Sequence, residues 1–171
     1  QPVFTGTPIT QLAKTTGLDS EFKAYHLYEI DSRTLNDFVK QNQKEISFKL
    51  RLGSTFDWNI QLFPYDIRTP DYNLRVATEN GVIQMDKGEN KTFRGHFADE
   101  RGEVRLTIDE GFINGYFESG KNRYFIELAN RFATDVGPDV FVVYNEKDVI
   151  PKEDNKCTAV RVEKLVKPHL P

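Results

Sequence analysis

The side chains best suited to nucleophilic or metal chemistry are one cysteine and three histidines. Cys157 is the single cysteine, so its thiol is left to pair with a partner, bind a metal or play no part. His26, His96 and His169 stand alone, and none begins the H-E-x-x-H spacing that holds a catalytic zinc. A pair of Cys157 with His26 or His96 stays open, because a nucleophile and its base need only be close in space.

Other chemistry-bearing patterns do not indicate an active site. The sequence has no G-x-S-x-G elbow, no glycine-rich phosphate loop and no C-x-x-C pair. The acidic pairs Asp99-Glu100, Asp109-Glu110 and Glu153-Asp154 fall at predicted turns or in the tail, and D-x-D-x-D calcium spacing is absent. We therefore predict that the chain is not an enzyme and has no intrinsic cofactor.

Composition bounds the class of protein. The chain has 171 residues, of which 38% are hydrophobic and 12% aromatic, enough for one domain with a real core. A net charge of -3 without a basic stripe argues against nucleic acid as a partner. No apolar run approaches the roughly 18 to 20 residues that cross a bilayer. The chain begins at Gln1, as it would after removal of a signal peptide, which predicts a secreted, cell-surface or periplasmic protein.

The elements that must position these groups are mostly strands. Alternating apolar residues are separated by glycine-containing turns every 8 to 12 residues or so, which predicts a mainly β fold, either an antiparallel sandwich or a partly open barrel. Trp58 alternates in phase with Ile60 and Leu62, which favours a place in the core over an exposed sugar-binding platform. The predicted strands are Tyr25–Asp31, Ile46–Leu52, Asp57–Phe63, Tyr72–Ala77, Val82–Met85, Thr92–Ala98, Glu103–Asp109, Phe112–Glu118, Arg123–Leu128 and Val140–Tyr144.

One short amphipathic helix is predicted near residues 32–42. Asp31 or Ser32 caps its free amides, and Leu35, Phe38 and Val39 share one face. Residues 1–24 lack a period and are interpreted as an extended N-terminal arm. Residues 25–145 form the β-rich core, and residues 146–171 form a C-terminal linker or tail that carries Cys157, with Thr158–Val162 as an additional edge strand.

A series of aromatic and glycine motifs is the most distinctive local feature. It predicts two successive hairpins, with Gly115 allowing a bulge or a close backbone approach. In chain order the motif residues are Phe93 and Gly95, then Val104–Ile108, then Gly111, Ile113 and Gly115, and finally Tyr124, Ile126 and Glu127.

This order resembles the propeptide of reprolysin/ADAM-type zinc metalloproteases, especially that of secreted bacterial relatives. The stretch Tyr25–Asp31 with the following helix is similar to the prodomain opening, and Val142–Val149 is similar to the strand that leaves it. The resemblance covers roughly residues 25–150. It implies a non-catalytic prodomain whose partner is the metalloprotease catalytic domain of the same precursor.

The resemblance also implies a role for the tail. In such zymogens a prodomain thiolate takes the fourth position of the catalytic zinc and displaces the attacking water. Cys157 is then the zinc ligand in trans, while Lys152 and Lys156 favour the thiolate and mark a processing region. The family's switch cysteine is usually followed by glycine, whereas Thr158 follows Cys157 here. Without the thiol, a prodomain would still assist folding or block the cleft sterically.

Two other hypotheses for the function stay open beside the prodomain hypothesis. The chain would be a secreted adhesion or carbohydrate-binding β-sandwich module if an aromatic platform were exposed on a sheet face. It would be a small enzyme if a histidine lay within hydrogen-bond reach of Cys157.

Overall fold

The computed structural model describes residues 1–10, 16–42 and 44–152. Within these ranges the helices are α1 (Thr16–Glu21) and α2 (Ser32–Gln41), with 3-10 turns at Ala129–Arg131 and Glu146–Asp148. The strands are β1 (Val3–Pro8), β2 (His26–Ile30), β3 (Ile46–Leu52), β4 (Phe56–Pro64), β5 (Leu74–Thr78), β6 (Gly81–Met85), β7 (Thr92–Phe97), β8 (Gly102–Asp109), β9 (Phe112–Ser119), β10 (Asn122–Leu128) and β11 (Val140–Asn145).

Nine of these strands form a closed barrel. Their order is β1-β2-β11-β10-β9-β8-β7-β4-β3, and β3 pairs with β1 to complete the circle. Neighbours are antiparallel except β1 and β3, which run parallel with Phe4 opposite Leu50. The mainly β prediction is confirmed. The sheet is a closed barrel rather than a sandwich or a partly open barrel, because β1 fills the gap between β2 and β3.

The barrel interior is an apolar core with α2 at one end. Inward residues such as Phe48, Ile60 and Ile126 are fully buried, in phase with the predicted alternation. Leu35 and Val39 of α2 pack into the same core. The helix begins as predicted, because the Thr34 amide donates to the Asp31 carboxylate at 3.0 Å.

Aromatic rings fill the other end of the barrel. Trp58 packs against the core and stacks on Phe117, with ring centroids 4.2 Å apart. Phe56 contacts Trp58 at 4.7 Å and Tyr124 at 5.0 Å. The phase argument for Trp58 is therefore confirmed: its ring lies inside the barrel and is not presented on a sheet face.

A second apolar cluster covers the outside of β2, β11 and β10. Leu18 of α1 and Phe22 are buried there, and the Phe22 ring stacks on Tyr144 at 4.1 Å and meets Phe132 at 5.0 Å. The segment 1–24, interpreted from sequence as an extended arm, thus contributes a barrel strand and a packed helix over its described residues. The predicted boundary near residue 25 does not separate it from the barrel.

Candidate functional site

The chain leaves the barrel through a segment that is held in place. After β11, the Asn145 side chain accepts from the Lys147 amide at 3.1 Å and caps a 3-10 turn. Val149 then forms a β-bridge with Phe22, and the Ile150 amide donates to the Glu21 carbonyl at 2.7 Å. The described chain is therefore anchored to the outer cluster as far as Ile150.

The predicted zinc and processing residues lie at or beyond this exit. Lys152 is described, and its ammonium forms an ion pair with Glu21. Cys157, Lys156, His169 and the predicted strand Thr158–Val162 lie outside the described residues.

The two described histidines occupy separate surroundings. His26 stands at the aromatic end of the barrel, 5.6 Å from the Phe56 ring, and His96 lies on the outer surface, 6.1 Å from Phe63. Over residues 1–10, 16–42 and 44–152, no group of three or more His, Cys, Asp or Glu side chains is placed to hold a metal.

The motif residues fall on the consecutive strands β7 to β10 and in the turn between β8 and β9. Phe93 and Ile126 are buried inside the barrel, and Gly111 takes a left-handed conformation (φ 69°) in the turn between β8 and β9. Tyr124 belongs to the aromatic end. Glu127 faces outward, where it accepts from the Tyr144 hydroxyl at 2.5 Å and pairs with Arg131. Burial, and then the Glu127 hydrogen bond, raises the pKa of Tyr144.

Gly95 and Gly115 sit where the backbone of the neighbouring strand leaves no room for a side chain. A Cβ on Gly95 would lie 1.8 Å from the Gln61 carbonyl oxygen, and one on Gly115 would lie 1.9 Å from that of Arg105. Gly115 also has a φ of 150°. The predicted close backbone approach at Gly115 is confirmed, and both glycines let the sheet curl tightly on either side of β8.

A network of hydrogen-bonded polar and charged side chains lies on the outer face of β8 and β9. Arg105 donates to Glu103 at 2.8 Å, and the Tyr116 hydroxyl also donates to Glu103. These bonds, that of Arg105 first, lower the pKa of Glu103 to about 2. Because the folded pKa is depressed, the interaction stabilises the fold above pH ~4.5 and is lost as the pH falls towards 2. The alternation of β8 could have shown that Glu103 and Arg105 share the outer face, but not that Tyr116 joins them.

Between the end of β4 at Pro64 and the start of β7 at Thr92, the chain leaves the barrel and returns to it; we call this segment the excursion. Arg68 fixes its base: Nε donates to the Asp66 carboxylate at 2.7 Å, and Nη1 donates to the carbonyls of Lys87 and Gly88. The same pairing with Arg68 lowers the pKa of Asp66 to about 2. At the start of the excursion, the Tyr65 amide donates to the Thr92 carbonyl at 2.9 Å.

Beyond this base, β5 and β6 form a separate two-stranded hairpin, Leu74–Met85, which we call the excursion hairpin. Ile83 and Met85 are each 49% exposed, and Val82 is 69% exposed. Eight of the ten exposed large hydrophobic residues described lie between Phe63 and Met85. A groove of about 360 Å³ adjoins the base of the excursion. It is lined by Tyr65, Ile67, Leu106 and Tyr116, among others.

None of the described helices is long and apolar enough to span a bilayer. Neither a comparison with models of known protein families nor one with curated protein sequences finds a match to this chain.

Proposed function

We propose that this chain is the non-catalytic N-terminal prodomain of a secreted zinc metalloprotease, which assists folding of the protease and keeps it latent. The observation that carries the proposal is the ordered series of family-like motifs. From Phe93 to Glu127, their residues fall on four consecutive strands, β7 to β10, and, at Gly111, in the turn between β8 and β9. They therefore belong to one continuous part of the sheet and are not scattered matches.

The anchored exit supports a role for the tail. Because the chain is held to the outer cluster up to Ile150, the residues that follow start from a fixed place on the barrel. From Lys152 to Cys157 is five residues, a span of at most about 18 Å. The proposal therefore requires the protease zinc to lie within about that distance of the exit, where a thiolate would replace the attacking water.

Inhibition measured in trans tests the proposal. The mature protease encoded downstream in the same gene is purified, and its peptide hydrolysis is measured with increasing amounts of the 171-residue chain. We expect saturable inhibition, and also a higher yield of active protease when it is refolded with the chain. A downstream reading frame without a zinc protease, or a protease that the chain neither inhibits nor helps to refold, would contradict the proposal.

A cysteine variant separates thiolate ligation from steric blockage. Cys157→Ser removes the soft zinc ligand, so we expect at least about tenfold weaker inhibition, from the loss of a metal bond. Thr158→Ala is the matched control, because it alters the adjacent residue and leaves the thiol in place. Equal inhibition by wild type and Cys157→Ser would remove the thiol from the mechanism.

The adhesion or carbohydrate-binding alternative is tested with the same material. Trp58 stacks on Phe117 inside the barrel, and the Arg94 guanidinium lies over the Tyr65 ring at 4.2 Å. Neither ring is therefore a bare platform for a sugar. Saturable glycan binding by a chain that does not inhibit the protease would replace the prodomain proposal.

A further inference from the structure

We infer that the α1 segment, residues 16–23, masks Lys152 from proteases that cleave after lysine, so that the chain is cut there only after residues 146–152 detach. We call residues 146–152 the exit segment. The inference rests on the proposed function, in which prodomain and protease are made as one polypeptide and a bond between them must be cut to separate them. It adds how the fold controls access to such a bond.

The exit segment is held to the α1 segment through its backbone. The Lys23 amide donates to the Asp148 carbonyl at 2.7 Å, and the Ile150 amide donates to the Glu21 carbonyl at 2.7 Å. Between these two bonds lies the antiparallel bridge of Val149. Main-chain groups on both sides of Val149 are therefore already paired.

The side chain of Lys152 is engaged by the same segment. Its ammonium forms an ion pair with the carboxylate of Glu21, whose main-chain carbonyl accepts from Ile150. The side chains of Lys152 and Glu21 are 52% and 27% exposed, so the ion pair adds little to the strength of the attachment. Its effect is to direct the lysine side chain towards the barrel.

Apolar packing fixes the α1 segment itself. Leu18 is fully buried, and Phe22 is 5% exposed with its ring stacked on Tyr144. A Cβ on Gly17 would lie 1.6 Å from the Phe132 carbonyl oxygen, so α1 lies directly against the backbone there. The exit segment is thus paired with a part of the chain that is firmly seated on the outer cluster.

A protease needs the groups that this attachment occupies. Proteases bind the residues before the cleaved bond as an extended strand, through main-chain hydrogen bonds, and a lysine-specific enzyme also binds the ammonium in a pocket. In the folded chain the Ile150 amide and the Lys152 ammonium are both bonded to Glu21. Cleavage after Lys152 therefore requires local opening, and its rate follows the population of the open form.

Limited digestion with a lysine-specific endoproteinase tests the inference. Mass spectrometry follows the product that ends at Lys152. The reference substrate is a synthetic peptide of residues 148–156, which contains the same bond and the same acidic residues after it but no α1 segment. We expect the peptide to be cut after Lys152 at least about tenfold faster than the folded chain. Equal rates would overturn the inference.

Two variants loosen the attachment. Ile150→Pro removes the amide that donates to Glu21, and ψ of Val149 is 129°, which tolerates a following proline. With the same substitution in the peptide, we expect the ratio of peptide rate to chain rate to fall by about fivefold. Glu21→Ala removes the ion pair and should lower the ratio by about twofold. Glu29→Ala, at an exposed position of β2, is the matched control and should keep the wild-type ratio.

Thermal unfolding separates a local effect from a loss of fold. Similar midpoints for wild type and all three variants, with the expected ratios, would support the inference. A wild-type ratio for both Ile150→Pro and Glu21→Ala would overturn it, because the α1 segment would then play no part in the protection.

The digestion uses the chain alone, so its outcome is independent of the inhibition assay. A chain that inhibits the protease and is cut at the rate of the peptide would overturn the masking and leave the prodomain proposal in place. A chain that resists cutting and neither inhibits nor helps to refold the protease would support the masking and contradict the prodomain proposal.

Discussion

At the scale of single residues, two glycines set the curvature of the barrel. Gly95 and Gly115 face inward on β7 and β9, on the two sides of β8. At each position the neighbouring backbone occupies the space that a Cβ would need. The geometry of this barrel by itself therefore requires glycine at both positions.

We expect Gly95→Ala and Gly115→Ala to lower the free energy of unfolding by about 2–4 kcal/mol each, because a carbonyl oxygen must move to admit the new methyl group. Gly137→Ala is the control. Its added Cβ would meet only Val140, at 3.8 Å, and the change should cost less than about 1 kcal/mol. Urea denaturation followed by tryptophan fluorescence measures all three. Similar stabilities for Gly95→Ala and Gly137→Ala would show that the strands near Gly95 relax freely.

Only part of the candidate site could be predicted from the sequence. Nothing in the sequence around Lys152 indicates that it pairs with Glu21, because the two residues are 131 positions apart. The apolar residues of Tyr72–Ala77 and Val82–Met85 alternate like those of the barrel strands, so their pattern predicted strands and could not show that they remain exposed. Exposure depends on where the hairpin leaves the barrel, which is a property of the whole topology.

At the scale of elements, local periodicity predicted the strands from β2 to β11 and the helix α2, whereas β1 and α1 were missed. The stretch Val3–Pro8 (VFTGTP) contains proline and glycine, and Phe4 is the one large apolar side chain at its inward positions. It becomes a strand because β2 and β3 offer it two open edges, with β3 more than 40 residues away in the chain. Such long-range pairing leaves no trace in a short window of sequence.

Removing β1 tests its role in closing the barrel. Deletion of residues 1–8 leaves β2 and β3 with open edges, so we expect a loss of at least about 2 kcal/mol in unfolding free energy and self-association on size exclusion. The control replaces residues 73–86, the excursion hairpin with one flanking residue at each end, by a short Gly-Ser linker. That control removes more of the chain but no barrel strand, and it should remain monomeric with unchanged stability. A monomeric β1 deletion of wild-type stability would contradict the closing role.

At the scale of the whole molecule, the part that contains the buried core and the part that exposes apolar side chains are different. The barrel interior and the outer cluster hold the buried residues, and the anchored exit ties the end of the described chain to that body. The excursion hairpin leaves from the end plugged by α2, where Arg68 secures only its base. The described structure thus combines a packed body with one weakly supported hairpin.

Native-state hydrogen exchange of the isolated chain should reveal this division. We expect amides of β5 and β6 to exchange through local opening at about 1 kcal/mol or less, because no buried side chains support the hairpin. The hairpin of β9 and β10 is the internal control. It packs Ile113, Phe117 and Ile126 in the core, so its amides should approach the global unfolding free energy, about 5–15 kcal/mol for a domain. Equal protection of the two hairpins at every protein concentration would mean that the body of the chain covers β5 and β6. Protection that rises with protein concentration would point instead to a second copy.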